Sequence, residues 1–333
     1  MVLYKLNDQT ISLQLPDATK KELDFTGTSF FTSPDRHLPT PAEVRALSKD
    51  IGLTPQPKPI QFESLNLIVK FGPSVTTVEA QNLWMIKKVF KNKIPVPELF
   101  GWRVDHKGHV FIYMELIKGP TLEECWQTLS SVEKGAISDQ LSAIMKTLRQ
   151  LEQHPSDQFI GSINHRHLLD YVFTVQPRTG PFSNIKEFND WFALLHQLPF
   201  PHRYDDPNRC FLPDDGKITF SHADLNRRNM IVSSNPTRVV LIDWEQSGWY
   251  PDYWEYCKAL YTCLYEDLWR TDYIDHFLQP RDDIYLVFAE YIMAMGAFRF
   301  DALRVLRLWC CRIVTYYDVV WIGTYVTVGG ITS

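Results

Sequence analysis

The chain has 333 residues, 45 % of them hydrophobic and 22 % charged, with a formal net charge of −5 at pH 7. That length suggests about two domains or lobes, with a core large enough to need no disulfide or metal staple. The mild acidity gives no reason to expect nucleic acid or an anionic membrane as partner.

Taken in chain order, the opening MVLYKLNDQTISLQ lacks the uninterrupted apolar core of a signal peptide. Residues 1–55 carry Pro, Ser and Asp punctuators (TSPDRHLPTPAEVRALSKD) and read as an extension with one short helix. PIQFESLNLIVKFG then suggests two strands with a turn near Glu63 to Asn66. SVTTVEAQNLWMIKKVF places Glu79, Leu83, Ile86 and Phe90 at helical spacing. A hairpin follows, with strands around Leu99 to Val104 and His109 to Leu116.

After Gly119-Pro120 the pattern turns helical. Ser130 with Glu133 forms a capping box, and Ile137, Leu141, Ile144, Leu148 and Leu151 make one apolar stripe. NIKEFNDWFALLHQL is a second helical pattern, and the Pro- and Asp-rich LPFPHRYDDPNRCFLPDDGKI is a long loop. DYWEYCKALYTCLYEDLW and DIYLVFAEYIMAMGAFRF resume helix. In the tail LWCCRIVTYYDVVWIGTYVTVGGITS, Arg312 and Asp318 interrupt the apolar character. The uncharged run beyond them falls short of the roughly 20 residues a spanning helix needs, so a buried terminal segment is expected. Cysteines at 125, 210, 257, 263, 310 and 311 form neither a disulfide framework nor a zinc pattern. A soluble, cytoplasmic protein is the reading.

The chemistry is concentrated in SHADLNRRNMIV and VVLIDWEQSGWYPDYWE. Asn229 follows Asp224 by five residues, and Asp243 comes fourteen later. Pairing of the flanking apolar runs, MIV and VVLI, would bring Asn229 and Asp243 to one end of a hairpin. An amide oxygen and a carboxylate there are hard ligands of the type magnesium takes. Asp224, on the loop just before, is placed to accept a proton from an attacking hydroxyl. A base, a metal and positive charge are the parts phosphoryl transfer needs.

His222-Ala223-Asp224-Leu225 with Asn229 resembles the H-x-D-L-x-x-x-N catalytic loop of protein kinases and their small-molecule relatives. Asp243-Trp244-Glu245 stands where protein kinases have D-F-G. Without that glycine, and with QSGWYPDYWEY directly after, the chain resembles the aminoglycoside phosphotransferase and choline kinase-like family, its fungal members in particular. The resemblance runs from about Ile60 to about Tyr265 and includes VKFGPSVTTVEA, YMELIKGPTLEECW and GPFSNIKEFNDWF.

The resemblance implies an α+β, protein kinase-like two-lobe fold, with an N-terminal extension over 1–55, a nucleotide-binding lobe over 56–118 and a catalytic and acceptor-binding lobe over 119–333. It implies an ATP- and magnesium-dependent phosphotransferase acting on a small hydroxyl compound. Asp224 would be the catalytic base, and Asn229 and Asp243 would hold magnesium. Lys70 would contact the ATP phosphates, paired with Glu79, and the backbone of Glu115 and Leu116 would meet adenine. Glu79 independently suggests a partner, because a carboxylate on an apolar helical stripe needs one.

Some residues read more plainly. His222 is scaffold of its loop rather than base, Arg227 and Arg228 divide between phosphate and structural roles, and Glu245 could add to the metal site. Asp205, Asp206, Asp214 and Asp215 read as solvated loop acids before they read as a cation site. No G-x-G-x-x-G precedes Lys70, and QFESLN contains no glycine. That absence favours the alternative, a kinase-fold binding protein without turnover, whereas intact Lys70, Asp224, Asn229 and Asp243 favour the enzyme. A protein kinase is disfavoured by the missing D-F-G and A-P-E, and a metallohydrolase by the lack of a histidine cluster. Acceptor identity and oligomeric state stay open.

Overall fold

The computed structural model describes residues 2–33, 35–50, 53–54, 56–233 and 237–296. Strands β1 (Val2–Leu6) and β2 (Gln9–Leu13) form a hairpin whose turn holds Asn7 and Asp8 at φ 48° and 65°. Short polar side chains tolerate that left-handed conformation better than most. Strand β3 (Glu22–Asp24) and helix α1 (Pro41–Leu47) follow. Helix α1 starts at a capping box in which Thr40 and Glu43 each accept from the other's backbone N–H.

Strands β4 (Ile60–Phe62), β5 (Leu67–Gly72), β6 (Leu99–Val104) and β7 (Val110–Glu115) join β3 in an antiparallel sheet of order β3-β6-β7-β5-β4. Strand alternation sorts β5. Leu67, Val69 and Phe71 share a face with Phe111 and Tyr113, where Phe30, Leu38 and Val44 cover them. Lys70 therefore points to the other face, against helix α2 (Thr77–Phe90). The sheet is completed by a tight glycine-free turn at Glu63–Leu65, ended by Asn66 at φ 51°.

Gly119 and Pro120 carry the chain into a larger, mainly helical region. Gly119 has φ 142°, and a Cβ there would lie 2.2 Å from the Val232 carbonyl oxygen, so no other residue fits the crossing. Helices α3 (Leu122–Cys125) and α4 (Ser131–Leu148), strands β8 (Leu151–Gln153) and β9 (Gly161–Ser162), and helix α5 (Ile185–Leu195) come next. Strands β10 (Ile218–Ser221), β11 (Met230–Ser233), β12 (Arg238–Leu241) and β13 (Gly248–Pro251) surround the two motif loops. Helices α6 (Trp254–Tyr261), α7 (Ile274–Phe277) and α8 (Asp282–Ala294) follow. The Ser130–Glu133 capping box is present, and Ile137, Leu141, Ile144 and Leu148 are buried. Leu151 is buried too, but on β8 rather than on the helix.

This is the α+β, protein kinase-like two-lobe arrangement that the sequence suggested. The first 55 residues differ from expectation, because they supply strands to both lobes. Strand β1 pairs antiparallel with β8, whereas β3 pairs with β6. Tyr4 is fully buried, with its ring stacked 5.6 Å from that of Trp249. Short strands with at most one buried residue each carry little periodicity, so their partners had to be seen. Among the described residues no helix is long and apolar enough to cross a membrane. The tail from residue 297 on, with the last residues of the expected terminal helix, lies outside the described residues.

Candidate functional site

Strands β11 and β12 pair antiparallel, Met230 opposite Leu241. One step further along, the Ile242 N–H donates to the Asn229 carbonyl at 3.0 Å. Asn229 and Asp243 thus sit at the same end of the hairpin, as their spacing suggested. The Asn229 amide nitrogen donates to the Asp224 carbonyl oxygen and to Asp224 Oδ2, both at 2.9 Å. Asn226 Nδ2 donates to Asp224 Oδ1 at 2.9 Å. Both carboxylate oxygens of Asp224 are therefore held by neutral amides, in a position only 2 % exposed.

His222 is fixed as scaffold by its hydrogen bonds. Its Nδ1 accepts from the Asp224 N–H at 3.2 Å, so Nε2 carries the proton and donates to the Ile242 carbonyl at 3.0 Å. With both ring nitrogens committed, the imidazole joins the 222–229 loop to the segment leading into Asp243. The loop itself hangs from Glu255, a buried carboxylate of α6. Its Oε2 accepts from the His222 N–H at 2.6 Å and its Oε1 from the Ala223 N–H at 2.9 Å. Ala223 is held at φ 65° and Asp243 at φ 64°, left-handed conformations that a side chain adopts only under constraint. Glu255 and Asn226 lie inside the quoted motifs, yet the sequence reading gave them no role. A carboxylate flanked by Trp254, Tyr256 and Cys257 was the available signal for Glu255.

From the sheet, Lys70 reaches the same place. Its ammonium lies 2.6 Å from Asp243 Oδ1, 2.9 Å from Glu245 Oε2 and 2.8 Å from Glu79 Oε2, the last an ion-pair contact without hydrogen-bond alignment. Burial disfavours charge on Lys70, but the attraction of Glu79, Asp243 and Glu245 outweighs it and holds the pKa well above the ordinary lysine value. Burial likewise pushes the Glu79 and Glu245 carboxyls up, against the pull of Lys70. Oxygen atoms of Glu79, Asp243 and Glu245 lie within 4.8 Å of one another. Three carboxyl groups around one ammonium gather hard oxygen donors of the kind that suits a divalent cation such as magnesium. Asp243 and Glu245 are about a third exposed, 31 % and 29 %, which leaves them open to such an ion. With its nitrogen turned to Asp224, Asn229 has its amide oxygen left to offer.

Other expected residues fall as follows. The Glu115 carboxylate accepts from the Glu98 N–H, and the buried Leu116 donates its N–H to the Asn66 carbonyl at 3.0 Å. Arg227 is a structural tie, paired with Glu123 and Asp267 and stacked over Trp126. In the long loop, Asp206 caps a short helical turn and Asp214 pairs with Arg209. Those two acids have local employment. Gln56 donates to Glu245 Oε2 at 3.0 Å and brings the segment before β4 to the cluster.

No curated protein matches the chain. Among solved structures, the GDP and kanamycin complex of APH(2")-IIia is 15 % identical over 79 % of this chain and 88 % of that one, with a TM-score of 0.48. The apo form of a thermostable mutant of aminoglycoside phosphotransferase APH(4)-Ia is 14 % identical over 78 % of this chain and 88 % of that one, with a TM-score of 0.45. The "Phosphotransferase enzyme family" description matches residues 63–294, which include Lys70, Glu79, Asp224, Asn229 and Asp243. With well over half of its length so matched, the chain belongs to the phosphotransferase enzyme family.

Proposed function

We propose that the protein transfers the γ-phosphoryl group of ATP directly to a hydroxyl of a small molecule. One observation carries the reading: the Lys70 ammonium and the Asp243 carboxylate meet at 2.6 Å, while Asn229 contacts Asp224 beside them. On this reading a phosphate-binding cation, two metal ligands and a base would share one end of one hairpin. Residues 56–118 would form the nucleotide lobe, with the Glu115–Leu116 backbone beside adenine, and residues 119–333 the catalytic and acceptor lobe.

In this reading Lys70 exchanges carboxylate contacts for phosphate oxygens, and Glu79 keeps the ammonium on station. Asn229 and Asp243, with Glu245, would hold magnesium, which when bound supplies charge to offset that of the phosphates. Asp224 Oδ accepts the proton of the acceptor hydroxyl as its oxygen attacks phosphorus in line, and the bond to the ADP oxygen breaks. The amides of Asn226 and Asn229 orient that carboxylate without neutralising it. Four cysteines without a bridge among the described residues support a cytoplasmic setting.

A second reading, a kinase-fold binder without turnover, is favoured by the glycine-free turn at Glu63–Leu65. Thermal unfolding with ATP, with and without magnesium, tests both. Ligand at about 100 times its dissociation constant stabilises by roughly 2.7 kcal/mol, a shift of several degrees. The shift should require magnesium and vanish in Asp243→Ala. Asp224→Ala should keep the shift but lose turnover; strong residual turnover in that variant would refute the base assignment. Nucleotide binding without turnover against any hydroxyl acceptor tried would favour the binder.

A further inference from the structure

Asn82 lies on α2 one turn after Glu79 and is fully buried. Its Nδ2 donates to the Trp244 carbonyl at 2.8 Å and to the Ser247 carbonyl at 3.3 Å. Two carbonyl acceptors fix which way the carboxamide faces, because the reverse orientation would set oxygen against oxygen. Those carbonyls bracket a turn closed by the Ser247 N–H to the Trp244 oxygen at 3.4 Å. Glu245 and Gln246 are its central residues, and Asp243 immediately precedes it. Asn82 therefore grips the segment that presents the two partly exposed carboxylates of the site.

The connection continues beyond the turn. Ser247 Oγ donates to the His222 carbonyl at 3.0 Å, and both residues are buried. A line of hydrogen bonds thus runs from the helix carrying Glu79, through the Asp243 turn, to the loop carrying Asp224. Asn82 Oδ1 is buried without a hydrogen-bond partner. A leucine of similar size would avoid that cost, so packing alone does not account for an asparagine here.

We infer that Asn82 and Ser247 are positioning residues for phosphoryl transfer: they make α2, the Asp243–Glu245 turn and the catalytic loop one mechanical unit. Asn82 sets the distance between the Lys70–Glu79 pair and Asp243, and hence the fit of a magnesium-bound triphosphate. Ser247 passes that setting to His222 and so to Asp224. The inference rests on the phosphotransferase reading above.

The test uses ATP and Mg2+, with water as the acceptor, on the full chain. Asn82→Leu removes both donors at nearly constant volume. Its dissociation constant for magnesium-bound ATP, measured by calorimetry, should rise about tenfold, the usual scale for a lost buried hydrogen bond. Raised Mg2+ should recover most of the loss, which a merely structural defect would not allow. Ser247→Ala should leave that constant within about twofold but slow the basal hydrolysis of ATP about tenfold. A folded Asn82→Leu variant that binds like wild type overturns the inference alone. If Asn82→Leu does not fold, unchanged hydrolysis in Ser247→Ala overturns it instead. A wild type that binds no magnesium-bound ATP overturns this inference and the proposed function together.

Discussion

Lys70 on β5 and Asp243 after β12 lie 173 residues apart in sequence, yet their side chains meet at 2.6 Å. The same ammonium also serves Glu79, only 1 % exposed. Lys70→Met would leave Glu79 buried beside two further acids, and removing one partner of a buried pair typically costs about 3–5 kcal/mol. Urea unfolding should show a loss of that order, together with loss of nucleotide binding. Adding Glu79→Leu should return much of the stability but none of the binding. A Lys70→Met protein as stable as wild type would mean that Glu79 takes up a proton without cost.

Glu255 supports the 222–229 loop by accepting from two buried backbone N–H groups. Glu255→Ala leaves both without a partner and should cost about 3 kcal/mol in urea unfolding. Glu255→Gln keeps one carbonyl oxygen and should lose roughly half as much. Equal stability of all three proteins would show that another group or water replaces the carboxylate.

At the joint between the lobes, Gly119→Ala combines a φ of 142° with a 2.2 Å clash against Val232. Strain at such a position costs about 1–3 kcal/mol before the clash is counted. A fall in Tm of several degrees is expected, and an unchanged Tm would show that the crossing can shift.

Thiol chemistry offers a check on burial. Cys210 is exposed, whereas burial pushes the Cys263 thiol up to about 12 and the Cys257 thiol well above the ordinary value. The thiolate is the reactive form, and its fraction falls tenfold for each unit by which the pKa exceeds the pH. At pH 8, iodoacetamide should therefore modify Cys210 first and spare Cys257 and Cys263 until the protein unfolds. Peptide mass spectrometry would read this, with peptides carrying Cys310 and Cys311 scored separately. Early labelling of Cys257 would contradict the packing of α6.

The sequence reading succeeded where local pattern and chemistry coincide. The hairpin of β6 and β7, helix α2 and the Ser130–Glu133 cap follow from periodicity and turn residues alone. The placing of Asn229 and Asp243 at one end of a hairpin followed from two apolar runs whose pairing the sequence suggested. Long-range partnerships were not legible. β1 finds β8 and β3 finds β6 through backbone hydrogen bonds, which are indifferent to side-chain identity. Glu255 and Asn82 were missed for a related reason, since each binds backbone groups of a distant loop. Lys70 and Glu79 were paired in advance by the family resemblance, with the carboxylate on an apolar stripe asking independently for a partner, but the addition of Glu245 to the same ammonium depended on a turn that only the fold reveals.

The N-terminal hairpin has a consequence for how the chain is made. β1 and β2 leave the ribosome well before their partner, because the strand that covers the open edge of β1 begins only at Leu151. At about 5–20 residues per second, on the order of ten to thirty seconds pass before that partner emerges. The sheet from β3 to β7 can close within this interval, since its strands all lie between Glu22 and Glu115. Tyr4 must wait longer still, because its stacking partner Trp249 lies almost a hundred residues beyond β8. Strand β1 is thus made early and buried late, and a chaperone that shields an exposed strand edge would find its substrate in that window.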